Sequence, residues 1–207
     1  MSATCIGKFW AVTSFVASIA TAIGFYFPYW IQGYYVAYDG EKSPMYFGTF
    51  RRCSYPRLTS DDLIEIVDDC GRYSTFLDIP SIWWQISTVV VGTGACLSLL
   101  VSLTGLIALC IRDIITVKIA RGIGLVQMTA GLLIGGGVAI YPNGWSATEV
   151  RQACGGYSDP YVLGDCVFCW AFYMTSVGGG LTLLCAALTC HSFHQKHQYR
   201  NVLASHV

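Results

Sequence analysis

The chain has 207 residues and a formal net charge of +0, with 12% charged residues against roughly 25% in ordinary soluble domains. Hydrophobic residues make up 54% of it. That composition excludes an ordinary water-soluble domain, and the lack of a basic excess excludes a nucleic-acid partner. A lipid bilayer is the expected surrounding.

Charge is absent from Phe9 to Tyr38, Ile79 to Ile111, Gly122 to Thr148 and Cys166 to Gln195. Each run exceeds the roughly 20 residues a helix needs to cross about 30 Å of hydrocarbon. Lipid offers no partner to bare backbone groups, so such segments must be helical there. The reading is an all-α membrane protein, one tetraspan domain over 1–207. Its helices are expected at about 9–29, 82–111, 119–141 and 167–191.

The first run could be a cleaved signal peptide, because Lys8 precedes it and Ala20-Thr21-Ala22 has the small-x-small pattern. It continues, however, to Pro28, Tyr29 and Trp30, which suits a retained helix ending in an interfacial aromatic cluster. Four spans put both termini on one side. Arg112, Lys118 and Arg121 crowd the short connection between the second and third helices, with Lys8, Lys196 and Arg200 beside the termini. Short basic segments stay in the cytoplasm. Both termini, and a tail at about 192–207, are therefore expected in the cytoplasm of a plasma-membrane protein, and the loops at about 30–81 and 142–166 outside.

The first outer loop contains WIQGYYVAY and MYFGTFRRC, aromatic and weakly alternating segments that favour strands and a small extracellular β-sheet over the helix ends. Between Ser60 and Asp69, helical spacing would place Asp61, Asp62, Glu65, Asp68 and Asp69 on one side and Leu63, Ile64, Ile66 and Val67 on the other. A solvated face is the first reading and a docking face for a basic partner the second; EF-hand spacing is absent. Ser81 suits a helix cap, and Trp83 and Trp84 suit anchoring at the water interface.

Ten cysteines occur, four of them in the outer loops: Cys53, Cys70, Cys154 and Cys166. An even number in each loop suggests one disulfide per loop, in an oxidising compartment. Each ring would limit the unfolded loop by about 3 kcal/mol on the chain-entropy account. Arg51 and Arg52 are then expected near the acidic run ending Asp68-Asp69, paired or exposed at a loop surface fitted to a partner.

A zinc site lacks a second CxxC or a loop histidine beside Cys166-Val167-Phe168-Cys169, so no metal is expected. Four helices with a CxxC at the start of the fourth also resemble the layout of vitamin K epoxide reductases, whose thiolates relay electrons to a quinone. Against that reading, Cys154 offers Cys166 a local partner, and Cys169 falls on an apolar helical start.

No Asp, Glu, Lys or Arg lies within the four charge-free runs, whose clear polar members are amides such as Gln85 and Gln127. Pumps and proton relays place ionisable groups there, so this chain is not expected to move anything by itself. Small residues occur at packing spacing: Gly92, Gly94 and Ala95, then Gly131-Leu-Leu-Ile-Gly135-Gly136-Gly137, then Gly178-Gly179-Gly180. They suit internal packing, with Gly131, Gly135, Gly178 and Gly179 as the helix contacts, or a groove for a partner's helix or a second copy of the chain.

Trp30, Gly48-Thr49-Phe50, Cys53 and Cys70 resemble the first-loop signature of the claudin superfamily, W...GLW-xx-C...C, with Thr49-Phe50 in place of Leu-Trp. Tyr141-Pro142-Asn143-Gly144-Trp145, Glu149-Val150-Arg151, Cys154-Gly155, Leu163-Gly164-Asp165-Cys166 and Trp170-Ala171-Phe172-Tyr173 resemble the lipoma HMGIC fusion partner-like tetraspans. FGTFRRCSYP and Asp69-Cys70-Gly71-Arg72-Tyr73 look especially like that family's founding branch. The resemblance implies a claudin-like bundle under a small extracellular sheet, with conserved loop disulfides. It also implies a non-catalytic accessory role, without a cofactor, beside another integral membrane protein: a channel, a receptor or an adhesion protein. A claudin-like adhesive barrier is the alternative within the same resemblance.

The chain ends Ser205-His206-Val207, and a valine carboxylate with Ser205 two residues before it suits a PDZ groove. His191, His194 and His197 read as a solvated helix end beside headgroups. Cys5, Cys110 and Cys190 sit where palmitoylation occurs, although idle thiols are the plainer reading.

Overall fold

The computed structural model describes residues 5–36, 42–58, 64–110 and 117–204. Four long helices carry the fold: α1 (Cys5–Tyr26), α2 (Ile82–Cys110), α3 (Val117–Ile140) and, after a short α4 (Thr148–Ala153), α5 (Trp170–Ala204). Each of the four is long and apolar enough to cross a membrane. Leu100, Leu125, Leu132 and Leu184 stand exposed on their outer faces, where lipid tails replace water as the neighbour.

The helices form a ring in which α1 meets α2 and α5, and α3 meets α2 and α5. With lipid as apolar as leucine, close approach and hydrogen bonds must hold such a ring. Ser18 and Ser102 join α1 to α2 at 2.8 Å, Gln127 Nε2 donates to Ser14 Oγ at 2.9 Å from α3 to α1, and Ser87 Oγ donates to the Gly137 carbonyl at 2.9 Å from α2 to α3. A Cβ on Gly178 would stand 2.9 Å from the Ala17 carbonyl oxygen, and one on Gly131 or Gly179 would press 2.6 Å from Leu183 or Ile134. Gly135 meets α5 through its backbone, its N lying 3.9 Å from the place a Cβ on Gly179 would occupy. It is exposed, with nothing within 4 Å of the place its Cβ would occupy.

Above one end of the ring lies a five-stranded antiparallel sheet, ordered β4-β3-β2-β1-β5. Its strands are β1 (Ile31–Val36), β2 (Lys42–Phe47), β3 (Arg51–Leu58), β4 (Ile64–Arg72) and β5 (Val167–Phe168). The aromatic segments do pair, Ile31 opposite Phe47 through Val36 opposite Lys42. Gly48-Thr49-Phe50 divides MYFGTFRRC into β2 and β3, with the Gly48 amide donating to the Arg51 carbonyl at 2.8 Å.

Three boundaries differ from expectation. The described part of the acidic segment, Ile64–Arg72, is a strand and not an amphipathic helix. Ile64-Glu65-Ile66 also alternates with period two, and pairing of Cys53 opposite Cys70 fixes that alternative. Val167–Phe168 belongs to the sheet, so α5 starts at Trp170 and runs to Ala204, well past 191. α1 ends at Tyr26, because Pro28 supplies no N–H and disfavours helix in the residue before it. Asp61, Asp62, Ser205 and Val207 lie outside the described residues, as do the side chains of Glu65, Asp68, Cys5, Cys110, Cys190 and the three tail histidines.

Candidate functional site

The sheet and the second loop form one cap whose centre is aromatic. Trp30, completely buried where α1 gives way to β1, donates its indole N–H to the Gly24 carbonyl at 2.8 Å. Its ring lies 4.7 Å from Tyr141, which stacks on Trp84 at 4.9 Å and 6°. Trp84 was expected at the water interface beside Trp83. Instead it is completely buried, donating to the Tyr141 carbonyl at 3.1 Å, and Trp83 alone is exposed. Tyr141–Ser146 forms a 3-10 turn with Pro142, Gly144 and Trp145 buried. Gly144 is required there, since a Cβ would overlap the Trp84 ring, 3.1 Å from its Cγ.

Two disulfides close the cap, Cys53 to Cys70 between β3 and β4 and Cys154 to Cys166 across the second loop, with Cα separations of 4.1 and 4.9 Å. Inside the second, Gly164 takes φ +69, and the Asp165 amide donates to the Cys154 carbonyl at 3.1 Å. Gly33 lets α4 settle on β1, where a Cβ would stand 2.7 Å from the Ala153 carbonyl.

The paired arginines separate. Arg52 turns to the second loop, donating from Nη1 to Glu149 Oε1 at 2.7 Å, with its guanidinium 4.3 Å from the Tyr55 ring centre and 4.8 Å from Tyr73. Tyr73 OH donates to Glu149 Oε2 at 3.3 Å. Burial first, then the Glu149 charge, pushes the Tyr73 phenol well above its usual range, so it remains a neutral donor. Of the expected acidic neighbours, Asp69 does not supply this contact, and the side chain of Asp68 lies outside the described residues. Asp69 is exposed and its Oδ1 accepts from the Cys70 amide. Glu149 had appeared in the sequence only as part of a signature, and 97 residues separate it from Arg52, so no local pattern joins them. Arg51 lies 4.5 Å from the ring of Tyr26, the last residue of α1.

Phe50 packs on Phe25 at 5.0 Å, and Trp170, 44% exposed, lies 5.7 Å from Tyr29 at the rim. Cys169 stays unpaired, since Cys166 bonds to Cys154 and not within its own CxxC. Its sulfur lies 4.0 Å from Gln32 Oε1, and burial pushes the thiol pKa up, which lowers the thiolate fraction a redox relay needs. Among the described residues no three His, Cys, Asp or Glu side chains gather as metal ligands.

The family profile described as lipoma HMGIC fusion partner-like protein matches residues 6–195. The chain belongs to this family of LHFPL tetraspans. It is 31% identical to the LHFPL tetraspan subfamily member 2a protein of Danio rerio and 30% identical to the member 2 protein of Homo sapiens, each alignment covering 91% of this chain and 87% of the relative. With the member 3 protein of Danio rerio identity is 30% over 84% of this chain and 74% of the relative. An LHFPL tetraspan is a multi-pass membrane protein, as the four apolar helices also indicate. The profile match, from residue 6 to 195, takes in both disulfide loops together with the helices.

Proposed function

We propose that the chain is a non-catalytic accessory or scaffolding subunit of the plasma membrane that holds another integral membrane protein, a channel, receptor or adhesion protein. Both termini face the cytoplasm in this reading and the cap faces outward. The observation that carries it is the cap. Two loops are cross-linked and docked on each other through Arg52 and Glu149, while Tyr34, Tyr157, Tyr161 and Val162 remain exposed on the described surface. Large exposed side chains on a rigid frame lose little conformational entropy on association, which suits recognition. The raised thiol of Cys169 supports the same reading over a quinone reductase. Val207 with Ser205 gives the tail the chemistry of a PDZ ligand, and a second copy of the chain is a further partner for the exposed helix faces.

The test is affinity purification of the intact chain from native membranes in mild detergent, followed by quantitative mass spectrometry. An integral membrane protein recovered in stoichiometric amount, and lost in Tyr157→Ala/Tyr161→Ala, is the expected result. Quinone reduction in lipid that disappears in Cys169→Ala would replace this reading with the reductase. Altered paracellular resistance in cells expressing the chain alone would replace it with an adhesive barrier.

A further inference from the structure

The geometry points to a second binding site, for the phosphate of an anionic phospholipid headgroup, where the cap meets the membrane. Arg51 and Arg72 are direct cross-strand partners at the open end of β3 and β4. Side chains directly opposite in an antiparallel pair share a face, and like charges placed so repel. Among the described residues neither guanidinium has a carboxylate partner, and Arg51 Nε is buried without any hydrogen bond. The carboxylates of three described acids are engaged elsewhere: Asp78 accepts from the Thr75 amide at 2.8 Å, Asp69 from the Cys70 amide at 2.7 Å, and Glu149 holds Arg52. Two positive residues directly opposite each other, neither of them paired with a carboxylate among the described residues, favour an external anion.

Beside Arg72 opens a cavity of about 320 Å³, lined by the run from Arg72 to Phe76 with Phe50 and Ile79. Its lining combines a cation, the aliphatic hydroxyls of Ser74 and Thr75 and apolar walls, the chemistry that receives a phosphate ester with its attached glycerol. Its place in the fold selects a lipid over a soluble anion. Arg51 rests on Tyr26 at the end of α1, and the cavity wall continues through residues 76–79 into α2 at Ile82. Phe76 and Leu77, 48% and 80% exposed, project directly before the span. Apolar side chains at that level enter the acyl boundary, which sets the arginines at headgroup depth. An acidic protein segment would satisfy the charges but not Phe76 and Leu77.

The experiment is native mass spectrometry of the full chain in mild detergent, titrated separately with phosphatidylglycerol, phosphatidylcholine and inorganic phosphate. Wild type should retain phosphatidylglycerol in preference to phosphatidylcholine. Arg51→Gln/Arg72→Gln should weaken that retention about thirtyfold, a factor of five or so for each basic residue near an anionic surface. Lys42→Gln, an exposed cap residue on β2 away from the pair, should change nothing. Intact mass reports both disulfides in each variant. If the double variant fails to fold, Arg72→Gln alone, at an exposed side chain, should still lose about fivefold. Equal retention of the two lipids, or phosphatidylglycerol retention unchanged in a folded arginine variant, overturns the site. Full competition by millimolar phosphate overturns the lipid assignment in favour of a free anion, and an acidic protein recovered through Arg51 and Arg72 with no lipid preference overturns it in favour of a protein contact.

Discussion

At the scale of single residues, the cap rests on charges satisfied across sequence distance. Glu149 accepts from both Arg52 and Tyr73, so its removal leaves a guanidinium only 24% exposed without its anion. Glu149→Ala should lower stability by about 1–2 kcal/mol, the range for a lost hydrogen bond to a charged group at a site that water partly screens. In a double-mutant cycle with Arg52→Met, thermal unfolding in detergent should give a coupling of about 1 kcal/mol, the double variant losing less than the two single variants summed. The raised Tyr73 pKa makes its share of stability present below the ordinary phenol range near pH 10, and lost only as pH climbs past it. Cys169 has the same sign of shift by burial. Its labelling by a maleimide should therefore need more alkaline pH than a free thiol, and Cys169→Ser should change stability by less than about 0.5 kcal/mol.

At the scale of elements, the helices were legible in their lengths and much less so in their rotations. Charge-free runs locate the spans, because the cost of charge in lipid leaves a mark in every sequence that crosses it. Which glycine meets which neighbour depends on how each helix is turned, and Gly131-Leu-Leu-Ile-Gly135-Gly136-Gly137 reads as one stripe. In that run a Cβ on Gly131 or Gly137 would press into another helix, while one on Gly135 or Gly136 would stand in open space. Gly178→Val, forced toward the Ala17 carbonyl, should lower the melting temperature with a loss of about 1–3 kcal/mol, whereas Gly135→Ala should be neutral or gain up to about 1 kcal/mol. The short elements left weaker traces. Ile64, Ile66 and Val67 fit a helix face as well as a strand, and only pairing with β3 decides between them. β5 is two residues long, too short for any period to register.

At the scale of the whole molecule, each disulfide closes its own loop, and the pairing of β5 with β1 together with the Arg52–Glu149 ion pair makes the two loops one body. Cys154 and Cys166 are both buried, next to α4 and β5, the elements by which the second loop reaches the sheet. Cys154→Ser/Cys166→Ser should cost about 2–4 kcal/mol and release the second loop to limited proteolysis before the helices are cut. The fold class was readable because lipid imposes it, while the docking of Arg52 on Glu149 was not, since two charges in different loops carry no shared pattern until the sheet brings them together. The joint between sheet and bundle has a mechanical meaning. β5 pairs with β1, the Cys169 amide donates to the Trp30 carbonyl at 2.9 Å, and the Ala171 amide donates to the Tyr29 carbonyl at 3.1 Å. The sheet is thus spliced to the ends of α1 and α5 by backbone hydrogen bonds, so a pull on the cap becomes tension along two helices.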